Sequence, residues 1–361
     1  MRVTAWTAAL AAAALFLPFV APAQDEASFD AETGQDALAG VPAHPEEPEA
    51  APETGGLEGL VRAAKKRAAF SVANIFTSRD VWRGIDWFGN NDPAYLLGGD
   101  MKFDLTPYDA QHKRDIWEVK LHTMVAGAYS LKSGHENVDR WKVMAVLENR
   151  FYRYLDLDIG YEHYGLPPFD DHDRDFEELM LRAGFNSVPT FTPLSLPGFK
   201  EPVTAIPFAV HYGAYSAYSS KRFTLTNDKF GFHGYPNSWW WHNVEFNLIV
   251  PFPDAVPEKT CGVLRCLKLD SQIWAIDREN VLPGLKDGLQ DAEFGLALPL
   301  ILDLGGGLGL DRCLWGVLGE SKIIAEPFIR YALDAQNLDS KTGAWTSEDE
   351  IFGGVALVYA F

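Results

Sequence analysis

From Tyr95 to Leu105 apolar and polar positions take turns. Tyr95, Leu97, Gly99, Met101, Phe103 and Leu105 fall on one face of an extended chain, and Asp100, Lys102 and Asp104 on the other. The next segment repeats the pattern, with Trp117, Val119, Leu121, Thr123, Val125 and Tyr129 opposite Glu118, Lys120 and His122. Trp141, Val143, Ala145, Leu147 and Phe151 then oppose Lys142, Glu148 and Arg150, and Leu155, Leu157, Ile159 and Tyr161 oppose Asp156, Asp158 and Glu162. A first strand covering Ala69 to Trp87 and further strands starting near Glu177, Thr204, Trp239, Leu267, Asp291, Lys322 and Glu350 bring the expectation to roughly twelve. Alternating strands of about ten residues predict an all-β fold, a transmembrane antiparallel up-and-down β-barrel.

A soluble β-sandwich or lipocalin-like barrel also alternates but turns its apolar face inward. Aromatic placement separates the two. With the first strand rising from the periplasm, Trp117, Phe151, Phe103 and Phe185 fall at lower strand ends, and Tyr129, Trp141, Tyr161, Tyr212, Trp240 and Tyr331 at upper ends. Tyr359 and Phe361 complete the expected girdle. Two aromatic bands are what a barrel places at the two faces of a bilayer, and a soluble core has no reason to sort rings that way.

Composition changes the picture mainly at the N-terminus. Arg2, an apolar run to Val20 and Ala21-Pro22-Ala23 form a signal peptide over 1–23, with the mature chain starting at Gln24. From Gln24 to Leu60 the chain carries Asp25, Glu26, Asp30, Glu32, Asp36, Glu46, Glu47, Glu49, Glu53 and Glu58 and no Lys or Arg. Such a segment buries too little apolar surface to offset its ordering entropy, so 24–68 is expected to be a disordered periplasmic segment, ending in the basic stretch Arg62, Lys65, Lys66 and Arg67. The barrel is assigned to 69–361. The net charge of -19 argues against a nucleic-acid partner, which needs basic patches.

Ser78-Arg79-Asp80-Val81-Trp82-Arg83-Gly84-Ile85-Asp86, followed by Asn90-Asn91-Asp92-Pro93-Ala94, resembles the opening hairpin of the TorF-like porin family. That family carries a Ser-x-Tyr-Val-x-Arg-Gly pattern and then a Pro-Ala; Asp80 stands here where the aromatic is usual. The resemblance implies a Gram-negative outer-membrane barrel with a transport function and no catalytic residues. The last strand, with Val355, Leu357, Tyr359 and Phe361 alternating, resembles the C-terminal strand of bacterial outer-membrane proteins, which implies the barrel-assembly machinery as a partner.

The same alternation points Asp100, Lys102, Asp104, Glu118, Lys120, Glu148, Arg150, Asp156, Asp158, Glu162, Arg182, Glu245, Asp270, Glu293, Glu326 and Arg330 into the lumen. Cross-strand ion pairs are expected between Glu118 and Lys120 on one strand and Glu148 and Arg150 on its neighbour. Inward acids exceed inward bases, although Arg83, Lys142 and Lys268 dilute the excess, and a carboxylate-rich lumen favours cations. Eight strands leave a filled interior and 16 to 18 an aqueous channel, so roughly twelve permits a narrow pore. The expected function is a monomeric porin-like channel for small polar solutes or ions; the alternative is a structural or adhesion barrel using the loops within 163–174, 216–238 and 335–350.

Other chemistry is weaker. Within Trp239-Trp240-Trp241, Trp240 points to lipid and the flanking rings inward, filling a narrow lumen or offering a stacking platform. Asp170, Asp171, Asp173 and Asp175 lack the Gly and late Glu of a calcium loop, so neither metal nor cofactor is expected. Cys261 and Cys266 can close one small loop, with Cys313 unpaired, or Cys313 can pair with either. His211, His242, Ser219 and Ser220 are present, but the His-x-Ser-Asn-Gly pattern of outer-membrane phospholipases is not, and no enzyme activity is expected.

Overall fold

The structure is a computed structural model that describes residues 68–83, 85–86, 92–106, 116–131, 140–165, 175–218, 238–277, 287–303, 321–338 and 345–360. The expected signal peptide and acidic segment, Cys313 and Phe361 lie outside the described residues. In chain order the strands are β1 (Ala68–Thr77), β2 (Val81–Trp82), β3 (Ile85–Asp86), β4 (Ala94–Asp104), β5 (Trp117–Ser130), β6 (Arg140–Phe151), β7 (Leu155–Gly165), β8 (Phe176–Phe185), β9 (Val188–Leu194) and β10 (Val203–Ile206). They continue as β11 (Phe208–Tyr218), β12 (Ser238–Pro251), β13 (Cys266–Ile276), β14 (Gly288–Ala297), β15 (Leu300–Asp303), β16 (Lys322–Leu338) and β17 (Trp345–Ala360), with one short helix, α1 (Ala255–Lys259), between β12 and β13.

Twelve of these strands make the wall: β1, β4 to β8, β11 to β14, β16 and β17, each antiparallel to its neighbours. Pairing of β1 with β17, from Ser71 opposite Ala360 to Thr77 opposite Gly354, closes the barrel and leaves no open edge. Both ends of the described wall, Ala68 and Ala360, lie at one end of the barrel, called here the near end; Thr77 and Trp345 lie toward the far end.

Burial runs opposite to that of a soluble barrel. Ile159 and Leu179 are 56% and 63% exposed, whereas their chain neighbours Asp158 and Glu178 are 2% and 1% exposed. Apolar side chains cover the outside and charged ones the inside, the distribution that lipid around a barrel requires. Trp117 and Phe151 stack on the outer face at the near end, with ring centroids 6.4 Å apart. Tyr129, Trp240 and Tyr331 are exposed on the outside, and Trp141, Tyr161 and Tyr359 are half-buried there.

Several expected boundaries move. The first strand ends at Thr77 rather than Trp87, because the chain turns into the lumen after it. At that turn the Ser78 N–H donates to the Gly353 carbonyl at 2.9 Å and the Gly353 N–H to Ser78 Oγ at 3.1 Å. Glycine is required just beside it: a Cβ on Gly354 would stand 2.0 Å from the Phe76 carbonyl oxygen. The strand expected near Thr204 is two elements, a separate β9–β10 hairpin and then β11 from Phe208. The loop expected at 335–350 lies mostly in strand, because β16 and β17 stay paired out to Leu338 opposite Trp345. Backbone ladders do not depend on side-chain polarity, so the polar sequence there does not end them. Cys261 and Cys266 are both free thiols.

Candidate functional site

Residues Asp80 to Arg83, between β1 and β4, enter the far half of the lumen. Val81 faces Asp86 and Trp82 faces Ile85 in a two-residue antiparallel hairpin, which adds to β16 in parallel at Gln336 and Asn337. Asp80, Trp82 and Arg83 are buried to 3% exposure or less. Across the lumen, Arg140 on β6 holds the Asp80 carboxylate through its Nη2, at 3.1 and 3.0 Å from the two oxygens. Arg79 pairs closely with Glu350 of β17.

Arg83 occupies the centre of this packing. Both its terminal nitrogens donate to Glu178 of β8, each at 2.7 Å, a two-toothed arrangement that matches the planar guanidinium to the carboxylate. Its guanidinium carbon lies 4.7 Å from the ring centre of Trp274, 4.8 Å from Tyr215 and from Trp82, 5.4 Å from Trp241 and 5.9 Å from Tyr164. Each is within the range at which an aromatic face attracts a cation. The backbone of Arg83 is at φ 51°, a left-handed conformation that costs a residue with a Cβ about 1–2 kcal/mol, so the surrounding contacts hold it there. Alongside, Tyr164 Oη donates to Glu162 at 2.7 Å, and Lys142 Nζ lies 3.3 Å from the same carboxylate.

Alternation builds this cage. Inward positions are every second residue, so Tyr164 with Glu162, Glu178 with Phe176, Trp239 with Trp241, and Trp274 with Gln272 come in pairs two apart. The register sets them at the same height: Tyr164 faces Phe176 across β7 and β8, and their rings stack at 4.5 Å.

Among the described residues, the near half holds ion pairs without the ring cage. Arg182 lies 2.9 Å from Asp158 and 3.7 Å from Glu245, which also accepts from Asn243 at 2.8 Å. Arg330 bridges Asp270 at 2.7 Å and Glu293 at 3.1 Å, and Lys268 meets Glu326 at 3.1 Å. Lower still, Glu148 takes His122 at 2.9 Å and Lys102 at 3.5 Å, Asp100 accepts from Ser71, and Arg150 and His211 each lie 3.0 Å from Asp156. The side chains of Lys102 and Glu148 keep 13% and 20% exposure, and Glu118 keeps 23%.

Of the charged residues assigned to the lumen, Asp156, Asp158, Glu162, Glu245, Glu293, Glu326 and Arg330 are buried, and the Asp104 carboxylate caps the Thr106 N–H at 2.9 Å. Cross-strand ion pairs do form, Arg150 with Asp156 and Arg182 with Asp158, each pair directly opposite in register. Glu118 sits opposite Arg150 and Lys120 opposite Glu148 in register, yet Lys120 lies 3.5 Å from Glu118 on its own strand and Arg150 bonds Asp156 on the next. A wall residue has an opposite partner on each of its two neighbouring strands, so Arg150 takes Asp156 on β7 where Glu118 stands opposite it on β5.

Alternation does not single out Asp80, Arg140 and Glu178, and it treats Arg83 only as a diluting charge. Glu178 is within its reach, being two residues from Met180 and four from Arg182 on one face of β8; Asp80 and Arg83 lie where alternation lapses. His211 points inward and His242 outward, where it bonds Tyr212 Oη at 2.8 Å, so the two do not share a site. Ser219, Ser220, Asp170, Asp171 and Asp173 lie outside the described residues.

No family model matches the chain, and no curated protein matches it in sequence. Among solved structures it is similar to the NanC porin, at 6% identity over 81% of this chain and 98% of that one, with a TM-score of 0.40. It is also similar to an outer membrane channel from Pseudomonas putida F1, at 10% identity over 82% and 96%, TM-score 0.37. The β domain of the Bordetella autotransporter BrkA shares 9% identity over 82% and 98%, TM-score 0.35.

Proposed function

We propose that the chain is a monomeric outer-membrane channel for small polar solutes or ions, constricted in its far half by the inward hairpin and weakly selective for cations. The observation that carries this reading is the near half of the lumen, where ion-paired side chains such as Lys102, Glu148 and Glu118 keep contact with solvent instead of packing as an apolar plug. Carboxylates there that keep side-chain exposure, Asp100, Glu118 and Glu148, give the cation preference its source. The export signal, the aromatic bands and the apolar outer face support the outer membrane, with the near end toward the periplasm and the last strand offered to the assembly machinery. Membership of the TorF-like porin family rests on the Ser78 to Gly84 motif. The reading contains no catalytic step.

A second reading, a non-conducting structural or adhesion barrel, is favoured by the buried cage in the far half. Refolded mature chain in a planar bilayer under a salt gradient separates them. Discrete conductance steps with a cation-side reversal potential are expected. Silence of verified, folded insertions supports the structural barrel, and an anion-side potential overturns the charge reading.

A further inference from the structure

Arg83 sits in its cage as a ligand sits in a binding site. It arrives on a short hairpin held to the wall by pairing at two residues of β16, in a strained backbone conformation, and its head group meets five ring faces and a two-toothed carboxylate contributed by the barrel wall and its own neighbour Trp82. All but Trp82 belong to wall strands, each paired in the barrel independently of the hairpin. The geometry discriminates chemically. A flat, weakly hydrated guanidinium satisfies both Glu178 oxygens while stacking on rings, whereas a compact, strongly hydrated ammonium does neither together. Beyond Met180, the next charged inward position of β8 toward the near end is Arg182, whose guanidinium again lies between carboxylates of the wall, Asp158 and Glu245.

We propose that the far half of the lumen is a binding site for solutes bearing a guanidinium group, occupied in the resting barrel by Arg83 as a tethered ligand. This rests on the channel reading for its route of access, and deepens it by naming the solute class. Removal of the Arg83 head group then empties the site without dismantling the wall.

The test uses R83A in the full mature chain, with ethylguanidinium as the probe and ethylammonium as its control. Folding is verified by heat-modifiable gel mobility. Trp82, Trp239, Trp241 and Trp274 surround the site, so tryptophan fluorescence in detergent reads occupancy directly. Folded R83A is expected to titrate saturably with ethylguanidinium at concentrations roughly tenfold below those needed for ethylammonium. Wild type, its site filled, should respond at least about tenfold more weakly, and R83A combined with E178Q should lose the difference between the two probes. Equal responses to both probes in folded R83A, or no saturable response, overturns the site. Should R83A fold only when ethylguanidinium is in the refolding buffer, that rescue supports the site; should it fold under neither condition, R83Q takes its place in the same titration, and the same responses support or overturn the site. Bilayer recordings keep the two readings apart. Conducting R83A that ethylguanidinium does not block retains the channel and sinks the site, while R83A that binds the probe in detergent but never conducts retains the site and sinks the channel.

Discussion

The two halves of the lumen are built by one rule and differ in what surrounds the charges. In both, every second residue of a wall strand points inward and many of these are ionised. In the far half Arg83 and Glu178 are buried completely, with rings on every side and a hairpin closing over them. In the near half Lys102 and Glu148 form the same kind of pair with water still at hand, and Glu148 has His122 as a second partner. The difference teaches that a charged lumen is not by itself an open one. Burial, and not charge count, separates a structural clamp from the lining of a vestibule, because the cost of stranding a charge rises steeply as water is excluded.

The largest effect should come from stranding the buried cation. In Glu178→Ala the Arg83 guanidinium loses both of its 2.7 Å acceptors inside the cage, and the Glu162 carboxylate stands 3.9 Å away. Breaking a buried pair from one side costs about 3–5 kcal/mol. Urea unfolding of the refolded protein in detergent should show a midpoint lowered accordingly, together with a change in tryptophan emission from the disturbed cage. A midpoint equal to that of wild type would erase the distinction between the halves.

Lys102→Ala probes the near half with the same measurement. Its Nζ is 3.5 Å from Glu148, both side chains are partly exposed, and His122 remains at 2.9 Å to hold the carboxylate. Partly exposed pairs contribute about 0–1 kcal/mol, so the midpoint should fall by no more than that. Conductance is the sharper readout here, since removal of an inward cation from the solvated half should shift the reversal potential further to the cation side. A loss as large as that of Glu178→Ala would mean that the near half is as dry as the far half.

How much of this is legible in the sequence follows from which contacts are local. The wall is legible because period-two alternation fixes a strand's faces without reference to its partners, and Leu155 to Glu162 shows this in eight residues. Charged lumen positions follow from the same period. The plug is not legible. Ser78 to Arg83 has no alternation, and its inward turn depends on Gly353, 275 residues away in the chain. Pair identity is also hidden, since the register that puts Glu118 opposite Arg150 still lets Arg150 reach across to Asp156. The β9–β10 hairpin escapes because its strands are short and β9 is interrupted by proline, so they carry little periodic signal.

The smallest effect is expected outside the wall altogether, where the same chemistry is fully solvated. Lys200, between β9 and β10, pairs closely with Glu258 of α1, and their side chains are 72% and 59% exposed. The hydrogen bond from Lys200 to Glu258 pushes the Lys200 ammonium above the ordinary lysine value. A base raised in this way contributes in full below its ordinary value and loses that contribution only as pH climbs through the raised one, so the pair is constant across neutral pH and fades in strong alkali. Water screens both partners, and holding two long side chains together opposes what attraction is left. Lys200→Ala should therefore leave the urea midpoint at neutral pH where wild type has it, completing a series in which one type of ion pair weakens from cage to vestibule to open solvent. A measurable fall in that midpoint would show that the near-end connections brace the barrel, and burial would no longer be enough to rank the three pairs.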